Sequence, residues 1–443
     1  MGRLFGTDGI RGVANVDLRP TVAFALGRAT AKRLAEPGSA IVVGQDTRRS
    51  GDMFVAAIVA GATSLGVDVH VVGVVPTPAL AFLARSGPYR AGIMVSASHN
   101  PADDNGLKVL DADGLKLDDA IEDELEALIW REGELGGVGN AGLGRRVEAV
   151  GSVDRYLEHR RGLAGSIDAS GLHIVLDGAN GSGGAAAREI LAATGARVEA
   201  IHVDPDGINI NVESGATSPA SLAREVRERG ADVGFALDGD ADRLICVDGH
   251  GHIVDGDQVL GILALDRLTR DALPGGLVVS ILSNGGLQSA VEEAGGEVVR
   301  TPVGDKYILE GMQVAGAMLG GEKSGHVIVL EHTTSGDGIV TALEVLRVMT
   351  KRNAPLATLA EAIPLLPQQQ RAVRARHKDQ WEGDPTLRRA IADATARLGS
   401  AGRVLVRPSG TEPALRVMVE GPDEALVSEL ADALATVAGE RLN

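Results

Sequence analysis

Apolar and polar positions along the chain repeat one design three times. Ala40-Ile41-Val42-Val43 reads as a strand, residues 53–65 as a helix, and residues 69–72, after Gly66-Val67, as a second strand. The same order returns at His173-Ile174-Val175-Leu176, with a glycine-rich turn over 178–184, a helix over 185–193, Gly195-Ala196 and a strand over 198–203. It returns again with a strand over 277–282, Asn284-Gly285-Gly286, a helix over 287–294, Gly295-Gly296 and a strand over 297–300. Short apolar runs alternating with helix-length segments predict βαβ units and largely parallel sheets. Starts at 40, 173 and 277 are too far apart for a solenoid and predict three domains of one design.

The C-terminal stretch differs. Pro364, Pro367 and Gln368-Gln369-Gln370 read as a linker. Beyond it the pattern predicts a helix over 385–398, strands over 403–406 and 415–419 with a loop between them, and a last helix over 423–439, a small α+β domain. Residues 132–144 are glycine-rich and predict a loop. The expected division is 1–152, 153–251, 252–366 and 367–443.

Length agrees, since 443 residues at about 150 per domain give three domains or four. Aromatics are only 2% of residues, so the cores must be built from Val, Leu, Ile and Ala. The net charge of -17 argues against non-specific nucleic-acid binding, which requires a positive field, but leaves room for a local basic pocket. Cys246 stands alone in the apolar run Leu244-Ile245-Cys246-Val247, so no intrachain disulfide can form and a buried core thiol is expected. The first residues show no signal-peptide pattern, and the apolar run over 54–62 is too short to span a bilayer. No membrane partner and a cytoplasmic location are the expectation.

Four motifs could carry chemistry. In Ser96-Ala97-Ser98-His99-Asn100-Pro101, after Ile93-Met94-Val95, a serine beside a histidine is a nucleophile beside its base or a polar turn closed by Asn-Pro. No Gly-x-Ser-x-Gly elbow is present. In Asp238-Gly239-Asp240-Ala241-Asp242-Arg243, alternate carboxylates suit hard Mg²⁺, which takes oxygen ligands at close range. An acidic surface turn is the other reading; an EF-hand fails because Arg243 and Gly249 stand where it needs Gly and Glu. In Gly320-Gly321-Glu322-Lys323-Ser324-Gly325-His326, Glu, Ser and His alternate on an extended strand or loop, a row fit for sugar hydroxyls or simply a glycine-rich turn. Lys323 is expected to point away from Glu322 and Ser324. In Arg407-Pro408-Ser409-Gly410-Thr411-Glu412-Pro413, with Arg416 after it, backbone N–H groups, hydroxyls and guanidinium forks suit a phosphate monoester, against a plain hairpin loop. Gly181-Ser182-Gly183-Gly184-Ala185-Ala186 fits a dinucleotide fingerprint with Asp204 at the acidic spacing, but a tight βα turn is favoured, because similar turns recur in the other copies.

Together, in this order and spacing, the motifs resemble the α-D-phosphohexomutase superfamily over essentially the whole chain. Phe5-Gly6-Thr7-Asp8-Gly9-Ile10-Arg11-Gly12, the 321–326 motif and Thr333-Thr334-Ser335-Gly336-Asp337-Gly338 look most like its bacterial amino-sugar branch. Relatives acting on glucose or mannose phosphates usually carry Met where Lys323 stands. The resemblance implies three related α/β domains with mixed sheets and a smaller α+β domain around a central cleft. It implies a phosphoryl group on Ser98 beside His99, and one Mg²⁺ held by Asp238, Asp240, Asp242 and the Ser98 phosphate. Glu322 and Ser324 would bind sugar hydroxyls; Arg407, Ser409, Gly410, Thr411 and Arg416 would hold the phosphate that is not reacting. Arg11, Lys108, Arg243 and His326 match positive or proton-transferring positions, with Lys108 or His326 the candidate base, and Lys306 a further phosphate contact. The implied reaction interconverts glucosamine 6-phosphate and glucosamine 1-phosphate through a sugar 1,6-bisphosphate, which serves as intermediate or activator, for amino-sugar nucleotide and cell-wall precursor synthesis. The alternatives are the same mechanism on glucose or mannose phosphates, and a non-catalytic sugar-phosphate-binding protein. A homodimer is one assembly open to such a chain.

Overall fold

The computed structural model describes residues 3–6, 8–409 and 413–443. Two compact units result. One holds Ala294–Ala362 and everything described up to Leu282; the other holds Ser283–Glu293 and the described part of Ile363–Asn443.

The first unit contains three sheets of one plan. In the first, Ala40–Gln45 lies between Asp68–Val74 and Tyr89–Val95, parallel to both, and Asp104–Asp111 returns antiparallel beside Tyr89–Val95. In the second, His173–Asp177 lies parallel between Arg197–Ile201 and Val233–Leu237, and Leu244–Asp248 returns antiparallel. In the third, Leu277–Ser280 lies parallel between Val298–Thr301 and Leu319–Gly321, and Val327–Val329 returns antiparallel. Periodicity predicts the first two strands of each copy. The antiparallel fourth strand makes the sheets mixed, because an antiparallel return needs only a short loop where a parallel one needs a crossover. That loop falls at residues 96–103, 238–243 and 322–326, so three of the four sequence motifs occupy one topological position in three successive repeats. Edge strands Ile10–Val13 and Arg146–Glu148 extend the first sheet, and Ile253–Val254 the second.

The sheets are filled as the composition requires. Ile41, Val43, Ile93 and Val95 are fully buried against Leu26, Phe54 and Ile58 of the helices Pro20–Leu34 and Gly51–Thr63. A buried ion pair fastens the third sheet's helix Gly338–Arg352 to the helix Asp154–Ala164. Arg160 Nε and Nη2 and the Tyr156 hydroxyl all donate to Asp337 Oδ2, while Asp337 Oδ1 caps the N–H groups of Ile339 and Val340. A buried charge with every lone pair engaged is costly to break from one side.

The second unit corrects the linker reading. Gln368–Arg374 is a strand, antiparallel to Ala414–Glu420, which also pairs with Arg403–Pro408. Its glutamines read as a linker because an edge strand needs only backbone partners and one apolar face. Gln368 Nε2 donates to Glu420 Oε2 at 2.9 Å. The helices Pro385–Leu398 and Glu424–Leu442 cover the inner face through Leu387, Leu430 and Leu434. The helix Gly285–Glu293, sequentially part of the third repeat, groups here, with Gly285 N–H donating to Glu420 Oε1. Among the described residues no helix is long and apolar enough to cross a membrane.

Candidate active site

Ser98 sits 1% exposed in the first repeat's loop at 96–103, with φ of 53°. A non-glycine residue in the left-handed region costs of order 1 kcal/mol or more and persists only where its surroundings hold it. Ser98 N–H donates to Ser96 Oγ at 2.9 Å, and Ser96 Oγ donates to Asp46 Oδ2 at 2.7 Å, which gives Ser96 a structural place. The Ser98 hydroxyl donates to Asp238 Oδ2 at 2.6 Å and lies 3.5 Å from His99 Nδ1. Burial first, then the charges of Arg243 and Arg11, push the His99 imidazole down to about 4, so it is neutral near pH 7.

Asp238, Asp240 and Asp242 converge, each offering an oxygen within 4.8 Å of the others, and all are buried. Asp240 Oδ2 accepts from Thr77 Oγ1 at 2.6 Å and Lys108 Nζ at 2.9 Å. Asp240 Oδ1 and Asp242 Oδ1 are buried with no hydrogen-bond partner among the described residues. Unpartnered buried carboxylate oxygens are costly, and three carboxylates at this range fit a hard divalent cation. Burial, then repulsion from Asp242 and Asp240, raises Asp238 well above the usual carboxylate range. Burial works the same way on Asp242, but Lys108 and His326 outweigh it and hold that carboxyl well below its usual value.

The expected cations gather around these carboxylates, Lys108 and Arg11 from the strands Asp104–Asp111 and Ile10–Val13, Arg243 and His326 from the loops. Lys108 is 2% exposed, with Nζ 2.9 Å from Asp240 and 3.6 Å from Asp242. Burial would lower it, but those carboxylates raise it, so it is an ammonium group here. Arg11 donates to Asn100 Oδ1 at 3.0 Å and pairs with Asp8. Arg243 Nε lies 3.9 Å from Asp242 Oδ1. His326 Nδ1 is 3.8 Å from Asp242 Oδ2, while Gly336 N–H donates to Nε2 at 3.0 Å. That contact fixes the neutral tautomer with the proton on Nδ1; the carboxylates of Asp242 and Asp305 pull its pKa up against burial. Lys306 instead meets Asp119 Oδ1 at 2.8 Å.

The 322–326 segment is a turn rather than an extended strand: Gly325 N–H donates to Glu322 O, and Gly325 has φ of 89°. A Cβ at Gly325 would stand 2.2 Å from Leu244 O, so the close approach of this turn to the second sheet requires glycine. Glu322 Oε1 accepts from Gly304 N–H at 3.0 Å, and Ser324 Oγ is buried with no partner among the described residues. Lys323 turns toward Asp255, 3.8 Å away. In the second unit, Arg407 and Arg416 stand opposite one another on the hairpin, with Ser409 just beyond. Gly410 and Thr411 lie outside the described residues.

The glycine-rich turn at 181–184 packs against the aspartate loop. A Cβ at Gly181 would stand 2.4 Å from Gly239 O, and one at Gly183 would stand 2.3 Å from the Ala241 Cβ. Ser182 N–H donates to Gly239 O at 2.9 Å. Sequence reading missed Thr77, Asp46, Arg48 and Asn211. The run Gln45-Asp46-Thr47-Arg48, leaving a buried strand for a helix, carried the available signal.

A hydroxyl nucleophile facing a convergent trio of aspartates, among buried cations and on repeats of one α/β plan, belongs to metal-assisted phosphoryl transfer. Family models agree. Those described as Phosphoglucomutase/phosphomannomutase, alpha/beta/alpha domains I, II and III, match residues 2–135, 154–251 and 255–365, and the C-terminal domain model matches 370–437. The chain belongs to the phosphoglucomutase/phosphomannomutase family. It is 50% identical to the phosphoglucosamine mutase of Moorella thermoacetica over 99% of both chains. It is 47% identical to that of Desulforudis audaxviator, covering 99% of this chain and 98% of that one. A crystal structure of a phosphoglucomutase/phosphomannomutase family protein from Burkholderia thailandensis superposes with a TM-score of 0.84 at 28% identity, covering 100% of this chain and 98% of that one.

Proposed function

We propose that this chain interconverts glucosamine 6-phosphate and glucosamine 1-phosphate through a phosphorylated Ser98 and a glucosamine 1,6-bisphosphate. The observation that carries the reading is the Ser98 hydroxyl directed at Asp238 beside the unpartnered oxygens of Asp240 and Asp242. Asp238, Asp240 and Asp242 would hold one Mg²⁺ together with the Ser98 phosphate. The ion's contribution is to neutralise charge on the oxygens of the moving phosphoryl group.

The residues then divide the work. The sugar's 1- or 6-hydroxyl oxygen attacks phosphorus, its bond to Ser98 Oγ breaks, and Ser98 Oγ takes up a proton to become a hydroxyl. His326 is the base that takes the sugar hydroxyl's proton, at Nε2, the nitrogen without a hydrogen, which gives up its bond from Gly336 N–H to do so. Lys108, Arg11 and Arg243 supply positive charge around the transferring oxygens, and Lys108, as ammonium, is a donor rather than a base. The bisphosphate turns end for end, and Ser98 Oγ attacks the other phosphorus, releasing the isomeric monophosphate. Glu322 and Ser324 orient the sugar, with Lys306 a further phosphate contact. Arg407, Ser409, Gly410, Thr411 and Arg416 grip whichever phosphate is not reacting. Domain boundaries near 152, 251 and 366, and a cytoplasmic location for a chain with one buried thiol, complete the reading.

Rates with the 6-phosphates of glucosamine, glucose and mannose, measured side by side, test it. The amino sugar should have the highest kcat/KM, and Ser98→Ala should lose nearly all turnover while remaining folded. A Ser98→Ala enzyme with wild-type turnover rules the mechanism out.

A further inference from the structure

Arg48 lies wholly buried beneath the Ser98 loop, and none of its donors reaches the Ser98 hydroxyl. An arginine side chain carries five N–H groups, and here all five are spent. Nε donates to Asp46 Oδ2 at 2.9 Å. Nη2 donates to the carbonyls of Ser98 at 3.0 Å and Asn100 at 2.8 Å. Nη1 donates to the carbonyls of Pro101 and, at 2.9 Å, Asp104. From the second repeat, Asn211 Nδ2 donates to the same carbonyls of Ser98 and Asn100, at 2.9 and 3.2 Å. Gly239 closes over the first of them, leaving 2.7 Å between a Cβ there and Ser98 O.

We infer that Arg48 and Asn211 are positioning residues for phosphoryl transfer, fixing the left-handed backbone of Ser98 by its carbonyl so that Oγ faces the aspartate loop. This rests on the phosphoserine reading above. The argument is geometric. Two carbonyls of the loop are each held from two repeats, so a change in how the repeats meet would move the nucleophile relative to the metal ligands. The planar guanidinium is what lets one side chain reach four carbonyls and a carboxylate; an ammonium has three N–H groups and no fork. Polar networks of this kind fix geometry when every member is satisfied.

Arg48→Lys and Asn211→Ala test the inference in the full chain with Mg²⁺. The readout is the single-turnover rate of phosphoryl transfer from phosphorylated Ser98 to glucosamine 6-phosphate, which does not depend on the folded fraction, alongside KM. Arg48→Lys should slow transfer by roughly ten- to a hundredfold, and Asn211→Ala by severalfold to tenfold, with KM changed less than about twofold. Phosphoserine in both variants should partition further toward hydrolysis, because a misaligned donor loses the sugar's advantage over water. If Arg48→Lys does not fold, Asn211→Ala decides alone. A folded variant transferring at the wild-type rate overturns the inference, as does an equal loss carried entirely in KM. An inactive wild type would instead sink the mutase reading, so the two can fail separately.

Discussion

The Ser98 hydroxyl donates to Asp238 Oδ2 over 2.6 Å, from the loop at 96–103 of the first repeat to the loop at 238–243 of the second. Ser98 and Asp238 thus meet because two copies of one design present the same loop to each other.

That contact makes Asp238 informative. Buried beside Asp240 and Asp242, its carboxyl is raised well above the usual range, so repulsion within the trio opposes folding when no cation is present. Asp238→Asn keeps an acceptor for Ser98 and removes one charge. In excess chelator the variant should melt above the wild type. On adding Mg²⁺ the wild type should gain stability, about 2.7 kcal/mol at a hundred times Kd, while the variant gains far less and stays inactive. An equal Mg²⁺-induced shift in both proteins would remove Asp238 from the ligand set.

Gly181 separates a packing role from a nucleotide-binding one. Its missing Cβ leaves room for Gly239 O, 2.4 Å from where that carbon would stand. Gly181→Ala must push back the aspartate loop, at about 1–3 kcal/mol for an overpacked contact. Turnover should fall and the Mg²⁺ requirement should rise. Nicotinamide dinucleotide should not shift the wild-type melting temperature. A Gly181→Ala enzyme with wild-type stability and activity would show that the contact is unimportant.

Much of this was legible in sequence because periodicity and composition are local. Ile41, Val43, Ile174 and Val278 announce central strands, and the alternation of Asp238, Asp240 and Asp242 announces a cluster of carboxylates, as a cation site or an acidic turn. What escaped depends on contacts distant in sequence. Arg48 serves carbonyls up to fifty-six residues away, Thr77 reaches Asp240, and Gly181 is explained only by Gly239. Gln368–Arg374 escaped for another reason: its order comes from pairing with Ala414–Glu420, which no local pattern records.

Glu122 gives a pH dependence. Burial raises its carboxyl from 4.5 to about 7, against the pull of Lys306 and Arg3. A folded pKa above the unfolded one means proton uptake on folding. Stability from the protonated form is therefore fully present below 4.5 and is lost as pH rises through about 7. Glu122→Gln should melt with the wild type near pH 4.5 and above it near pH 8. A variant less stable than the wild type near pH 8 would show that the Arg3 and Lys306 charges outweigh burial.

Glu322 is where substrate choice is tested. Its Oε1 accepts from Gly304 N–H at 3.0 Å, and its charge acts on Arg243, so the carboxylate is held in place beside the cations of the site. Ser324 Oγ, two residues on, is buried without a partner among the described residues, a pairing that suits a ligand hydroxyl or amine. An anion so placed favours a sugar whose 2-position can carry an ammonium over one with a hydroxyl there. A charge-assisted hydrogen bond contributes about 1.5–3 kcal/mol, which is about one to two decades in selectivity. Glu322→Gln keeps shape and the Gly304 contact while removing the charge. The ratio of kcat/KM for glucosamine 6-phosphate to that for glucose 6-phosphate should therefore fall by about ten- to a hundredfold, with the loss confined mainly to the amino sugar. Steady-state kinetics on both sugars, with wild type and variant in parallel, measures this ratio directly. Equal losses on the two substrates would assign Glu322 to orienting hydroxyls common to both and would move the source of amino-sugar preference elsewhere in the loop.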